Sequence, residues 1–287
     1  MSKAIRILQG PFGRVSLLDM SKPLVNHAHR QCHIIIKVSG SDCAFHVRGR
    51  NQPLVDQSAV LVNAWESHSY EHTPSGEGRA ILLALYLEPS WLSEIVPFLA
   101  VSGHPHFFPD PCISLPNGAR RLTNILAAQM LISQNIPTDV LESKIFDLFI
   151  AIVENHSSFK DHARLVKNAS AKTVDKRLQR VLDRIHADCL ENHNLCELAA
   201  ASGLSRAHFF HLFKQDLNIT PAVYINSLRV ELAIEKLSEA DSSIADVSYD
   251  VGFSAPSHFT RFFRQHLGIT PSDYRYAVDL LVKRMKP

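Results

Sequence analysis

The spacing of hydrophobic residues changes character along the chain. From Ile5 to about Leu87 they fall in short runs: VSLLDM, HIIIKV, AFHVRG, AVLVNA and AILLALYL. Polar turns such as SGSD, GRNQ and PSGEG separate the runs. Short β-branched runs closed by Gly, Pro, Asn and Asp predict strands, and their regular succession predicts an antiparallel barrel or sandwich. From Asn117 the period becomes helical. Leu122, Ile125, Leu126 and Met130 form one stripe, Leu141, Ile145, Leu148 and Ile152 another, and Pro137 marks the break between them.

The C-terminal third carries a repeat. HFFHLFKQDLNITPAVY (208–224) recurs as HFTRFFRQHLGITPSDY (258–274), an offset of 258 − 208 = 50 residues. Upstream, with the offset shortened by one residue, LCELAAASGLS (195–205) aligns with IADVSYDVGFS (244–254). Each copy reads as a short helix, a glycine turn (Gly203, Gly252) and a longer helix whose phenylalanines at i, i+4 point inward. Ser205 and Ser254 are placed to cap the longer helices. Two helix-turn-helix units in tandem suit a partner that itself repeats, and double-stranded DNA is the natural one. The alternative is a pair of helical hairpins with no nucleic-acid role.

These motifs closely resemble the AraC/XylS family of transcription regulators over roughly Lys176 to Arg275. The second copy carries the fuller signature, from the Ile-Ala-x-x-Val helix start through Gly-Phe to Gly-x-x-Pro and Tyr-Arg. Asn218 stands where Gly is usual, and Ser248 where Ala is usual. The resemblance implies that the second helix of each unit enters the major groove. Its outward positions are Arg206, Ala207, Phe210 and His211 in the first copy, and Pro256, Ser257, Thr260 and Arg261 in the second. Lys214 and Arg264 would meet phosphates. Arg261 is the strongest base reader, because arginine offers two donors to guanine O6 and N7. His211 reads equally as a base contact or a solvent-facing side chain, and Phe210 as a thymine-methyl contact or a packing residue. Ala222–Glu239, free of Gly and Pro, suits a helix linking the units. RNA polymerase and a second copy of the chain are further partners that the resemblance implies.

In this family the N-terminal half is often a cupin-like barrel that senses a ligand. His27-x-His29, His33 and Gly40 resemble the first cupin motif, with His33 in the place of a glutamate, and Asn63–His68 resembles the second. Alternate strand residues share a face, so His27 and His29 point together. With His33 and His68 they form a candidate site for Zn or another divalent transition metal. Trp65 and Tyr70, with His46 and His72 as further candidates, are expected to line an effector pocket. An alternative of a different class is a dioxygenase-like cupin metalloenzyme carrying a helical interaction module. No nucleophile triad, phosphate loop or paired-carboxylate arrangement points to catalysis, and a non-enzyme is expected.

Length and charge refine the picture. The chain has 287 residues and a formal charge of +2. From Arg177 onward acidic and basic residues are equal in number, and the surplus of basic residues lies just upstream, from Lys160 to Lys176. DNA affinity must then come from where Arg and Lys sit and from helix N-termini, not from bulk charge. Five scattered cysteines without a CxxC pair point to free thiols in a reducing cytoplasm. No apolar run approaches a membrane span, and Gly, Pro and Arg break the N-terminus before a signal-peptide core forms. The fold expected is α+β in two domains. Residues 1–116 form a cupin-like antiparallel barrel, 117–157 a helical cover and dimer contact, and 158–175 a linker. Residues 176–287 form an all-α domain with two helix-turn-helix motifs joined by a linker helix.

Overall fold

The computed structural model describes residues 2–71, 78–133, 135–156, 175–187, 194–239 and 242–281. The predicted linker over 158–175 lies outside them, Asp175 excepted. Strands β1 (Lys3–Gly10), β2 (Gly13–Met20), β3 (Cys32–Gly40), β4 (Cys43–Val47), β5 (Arg50–Leu54), β6 (Ser58–Val62), β7 (His68–Glu71) and β8 (Ala80–Leu87) build the N-terminal half. Helix α1 (Pro89–Ile95) and β9 (Cys112–Ser114) follow, then α2 (Asn117–Ile132) and α3 (Thr138–His156).

Two sheets form. The larger has the order β10-β1-β2-β8-β3-β6-β9, where β10 is Val278–Leu280, and the smaller has the order β5-β4-β7. The run HIIIKV is nearly continuous in apolar residues because β3 is buried on both faces. Ile34 and Ile36 join Leu83 and Leu85 under α1, α2 and α3, while Ile35 joins Leu82, Phe45 and Tyr70 between the sheets. Helices, large sheet and small sheet thus form three layers.

The sheet is not closed into the expected barrel. The edge of β1 that a barrel would return to the small sheet is covered by β10, which runs parallel to it with Ile7 opposite Val278 and Gln9 opposite Leu280. That strand comes from the far end of the chain. The C-terminal unit is therefore not wholly helical, and Val278–Leu280 extends the N-terminal sheet.

The helical unit comprises α4 (Lys176–Ala187), α5 (Leu195–Ala201), α6 (Arg206–Leu217), α7 (Pro221–Ser238), α8 (Ile244–Asp250), α9 (Pro256–Leu267) and α10 (Pro271–Ala277). It has two cores, and α7 serves both. Tyr224 and Ile225 pack with Phe209, Phe213 and Leu198 in the first, and Ala233 and Leu237 with Phe259, Phe263 and Val247 in the second. Each core also takes a residue from the other half of the chain, Ala28 in the first and Ile7 in the second.

The units differ at their turns. Ser205 caps α6, its hydroxyl accepting from the His208 N–H at 3.3 Å. Ser254 does not cap α9. The extra residue that lengthens the repeat offset puts Ala255 at the N-cap without a side-chain hydrogen bond, and Pro256 follows in the first turn. Proline's fixed φ and missing N–H suit that position, so helix entry is set by the backbone there. At the far ends Asn218 (φ 59°) and Gly268 (φ 77°) both adopt the left-handed conformation. A Cβ on Gly268 would lie 2.9 Å from Met20 Cε and 3.1 Å from Leu24 Cδ2, so this glycine also admits the N-terminal half.

Gly268→Ala is expected to destabilise the chain by about 1–2 kcal/mol from backbone strain alone, with any loss of docking added. Asn218→Gly is expected to change stability by less than about 1 kcal/mol, since Asn already reaches this conformation. Urea unfolding of both variants checks this, and a neutral Gly268→Ala would refute it.

Candidate functional site

One rung of the large sheet sets the chemistry. Arg14 on β2 pairs with Tyr86 on β8, and Tyr86 pairs with His33 on β3, so all three project from the same face. The Tyr86 ring lies between its neighbours. The Arg14 guanidinium carbon is 4.0 Å from its centroid, and the His33 ring stacks on it at 4.0 Å. The segment before β3 crosses the open end of the sandwich. His27 and His68 exchange both backbone hydrogen bonds at 2.9 Å, and the Trp65 N–H donates to the His29 carbonyl at 2.7 Å.

The structure brings His27, His29, His33 and His68 together, all buried. The His27 and His68 ring centroids are 4.3 Å apart, and those of His29 and His68 5.0 Å. Backbone carbonyls orient the rings. Nδ1 of His27 donates to Val25 O (2.9 Å), that of His29 to Gln31 O (3.1 Å) and that of His68 to Glu66 O (2.8 Å). This leaves a lone pair on each Nε2. The Nε2 of His29 accepts from Nδ1 of His33 at 3.0 Å, and the Nε2 atoms of His33 and His68 are buried without a partner. Burial holds all four imidazoles neutral, with neighbouring histidines adding to the effect at His27, His29 and His33, and the His68 value falls to about 4. One potential ligand atom from each of His29, His33 and His68 lies within 4.8 Å of the others.

His27 and His29 also line a cavity of about 720 Å³ between the β-sheet half and α7. Arg14, Tyr86 and Arg30 face it from one side, and Leu228, Glu231 and Ile234 from the other. Arg14, Tyr86 and Glu231 belong to no motif. They meet through sheet register and domain docking, and nothing local in the sequence marks them. Trp65 and Tyr70 do not line the cavity. Trp65, at φ 58°, stacks against Tyr224 of α7 at 4.9 Å, and the Tyr224 hydroxyl meets His186 Nε2 at 2.7 Å. Tyr70 is buried between the sheets beside Phe45, where burial raises its phenol pKa. Both are aromatic packing residues, as their places in an apolar seam require. His46 is bonded to Asn51 in a half-exposed hairpin, and His72 lies outside the described residues.

The second site is the outer face of the helical unit. Arg206, Ala207, His211 and Lys214 are exposed on α6, and Ser257, Arg261 and Arg264 on α9. Behind them Phe209, Phe213, Phe259 and Phe263 are fully buried. Phe210 is half-buried against the first core, with the Arg206 guanidinium 5.7 Å from its ring, so packing is its structural role. Pro256 and Thr260 are also half-buried, and the Thr260 hydroxyl donates to the Pro256 carbonyl at 2.9 Å. Lys214 Nζ donates to the Asn218 carbonyl at 3.1 Å, tying a basic group to the end of α6.

Comparison with known proteins bears on both sites. The helix-turn-helix domain family matches residues 198–277. The probable transcriptional regulator LumQ of Photobacterium leiognathi is 22% identical over 275 residues, covering 94% of this chain and 99% of that protein. The HTH-type transcriptional activator RhaS of Klebsiella pneumoniae is 24% identical over 271 residues, covering 90% and 89%. An uncharacterised HTH-type regulator of Bacillus subtilis, YdeC, is 26% identical over 204 residues, and the match spans 62% of its length. Among solved structures, ToxT from Vibrio cholerae O395 shares the fold with a TM-score of 0.53 at 12% identity, covering 96% of this chain and 97% of that one. ToxT has also been solved bound to an unsaturated fatty acid, with a TM-score of 0.50 to this chain at 12% identity, covering 96% and 95%. No helix among the described residues is long and apolar enough to cross a membrane. The duplicated motif, the family match over 198–277 and the regulator relatives agree: the chain carries an AraC-type helix-turn-helix domain and is similar along most of its length to transcription regulators.

Proposed function

We propose that α6 and α9 read two successive major-groove segments of an operator, and that an effector in the cavity between the sheet and α7 controls this reading. The observation that carries it is the cavity itself. One wall belongs to the N-terminal sheet and the other to α7, the helix whose residues enter both DNA-reading cores. An occupant that prefers one arrangement of these walls shifts the DNA-binding unit by that preference. The likeness to ToxT, which has been solved with a fatty acid bound, supports an effector of small-molecule size. Arg261 is the principal base reader and His211 its counterpart on α6, with Arg206, Ala207 and Ser257 flanking them. Lys214 and Arg264 contact phosphates. The chain acts as a homodimer in the cytoplasm, and the exposed Ile125, Leu131 and Ile132 of α2 offer apolar surface for a second copy.

A second reading concerns the histidines. Three neutral imidazoles with inward lone pairs, two of their nitrogens buried without partners, fit a late divalent transition metal such as Zn²⁺. His29, His33 and His68 would hold it, with His27 alongside. The metal would supply a rigid positive centre at the cavity floor.

Arg261→Ala is expected to relax preference at one base position by about 1–3 kcal/mol. Arg264→Ala and Lys214→Ala should weaken binding to all sequences and reduce the salt slope by about one ion. His211→Ala should cost less specificity than Arg261→Ala, because a neutral imidazole offers one donor. Titrating one operator and a random duplex across a salt series separates these. A larger loss for His211→Ala would make the first unit the main reader, and no preference of the intact chain for any duplex would end the DNA reading.

If the cluster holds a metal, purified protein dialysed against Zn²⁺ retains it stoichiometrically, and His29→Ala and His68→Ala each lose it. Absence of bound metal, with melting unchanged by chelator, rejects the metal while leaving an organic effector. Acid should act on the metal-free cluster. A histidine whose folded pKa lies below its unfolded value contributes stability that is complete above the unfolded value and lost as pH falls toward the folded one. For His68 that window runs from 6.5 down to about 4, a loss on the order of 3 kcal/mol. Thermal melting of wild type and His68→Gln across this window should show a shallower decline in the variant. Parallel declines would contradict a buried neutral His68.

A further inference from the structure

Two buried polar atoms of opposite character face the same cavity. Arg14 Nε is inaccessible to solvent and has no hydrogen-bond partner. Among the described residues no carboxylate forms an ion pair with this guanidinium. Its contacts are the ring face of Tyr86 and the phenol oxygens of Tyr86 and Tyr274 of α10, which are neutral acceptors and bring no counter-charge. Arginine does not shed its proton to escape such a site. The nearest candidate counter-ion on its own side, Glu88, is occupied, because its Oε1 accepts from Arg30 at 3.1 Å and from Gln31 at 2.7 Å.

Across the cavity, Glu231 projects from α7. Its carboxyl hydrogen-bonds the Arg30 backbone, yet Oε1 is buried without a partner. Burial raises its pKa, and the pull of the Arg30 and Arg14 charges only partly offsets this. The lining also includes Pro11, Leu228, Leu232 and Ile234. The cavity thus presents a guanidinium without an ion-pair partner on the sheet, a carboxyl with one oxygen unpartnered on the helix, and apolar side chains in the same lining.

We propose that the cavity takes a small zwitterion with an apolar body, its carboxylate pairing with Arg14 and its ammonium pairing with Glu231. A simple monocarboxylate would answer Arg14 and leave Glu231 unsatisfied, and a simple amine would do the reverse. Only a molecule bearing both groups satisfies the sheet and α7 at once, and only such a molecule ties the two walls together through charge. This inference rests on the effector reading above and specifies the chemistry of the effector.

The test uses the full chain and isothermal calorimetry without DNA. The probes are the ω-amino acids from aminobutyrate to aminododecanoate, each beside the monocarboxylate and the monoamine of the same length. At the optimal length the amino acid is expected to bind at least about tenfold more tightly than either monofunctional partner. Glu231→Gln, nearly isosteric, should erase the preference of amino acid over carboxylate while carboxylate binding persists. Arg14→Met should weaken both, with circular dichroism reporting that it folds. Two results overturn the proposal: monocarboxylates that bind as tightly as their amino counterparts and are indifferent to Glu231→Gln, or no member of the series binding at millimolar concentration. Adding the same probes to an operator-binding assay separates this failure from that of the effector reading. If a monocarboxylate binds and changes operator affinity, the effector reading stands and only the zwitterion falls. If a bound probe of either kind leaves operator affinity unchanged, the effector reading itself fails.

Discussion

A guanidinium cannot discard its charge, and Arg14 carries one into the seam between the β-sheet and the helical unit. The groups around that seam are arranged by this fact. Tyr86 offers the face of its ring, the weaker answer available to a cation where no carboxylate is at hand. His33 packs on the same ring and, with its three histidine neighbours, stays neutral. Burial is the chief cause, and at His27, His29 and His33 the other histidines and the Arg14 charge add to it. The backbone carbonyls of Val25, Gln31 and Glu66 fix which ring nitrogen keeps its proton, while pulling the pKa values of His27, His29 and His68 weakly the other way.

The two helix-turn-helix units repeat one sequence pattern under different structural constraints. The first closes α6 with Asn218 and opens it with a serine cap, both of which are facing solvent. The second lies against the N-terminal half. The Val25 N–H donates to the Gln265 carbonyl at 3.0 Å, Gly268 leaves room for Met20 and Leu24, and the Tyr274 hydroxyl donates to Gln9 at 2.9 Å. Glycine at the end of α9 and asparagine at the end of α6 are then not interchangeable. The backbone conformation is common to both, but only one of them is a docking surface.

What was legible in the sequence follows the range of the interactions concerned. The strands VSLLDM, HIIIKV, AVLVNA and AILLALYL are readable because short apolar runs and the turn residues that close them are local signals. The helix-turn-helix units were readable because their phenylalanines and glycine turns recur at fixed spacing. His27, His29, His33 and His68 could be gathered because two motifs announced them. Sheet closure could not be read, since it depends on Val278–Leu280 reaching β1 across almost the whole chain. Trp65 and Tyr70 were assigned to the pocket on chemistry alone, and packing used them elsewhere. Arg14 and Glu231 carry no local signal for the cavity for the same reason: a basic residue beside a glycine turn and an acid in a helix look like surface until register and docking bury them.

Domain docking also bears on how a signal could reach DNA. A cavity between two rigid bodies that never separate would hold a ligand without consequence, because equal affinity for every accessible state shifts none of them. Here the bodies share more than a contact. Ile7 completes the second helical core, Ala28 the first, and β10 leaves the helical unit to lie on β1. Moving α7 relative to the sheet therefore strains both cores together, and the two reading helices with them. Packed cores resist gradual deformation and tend to occupy discrete arrangements. A molecule gripped by the sheet on one side and by α7 on the other would put its binding energy directly into the balance between such arrangements.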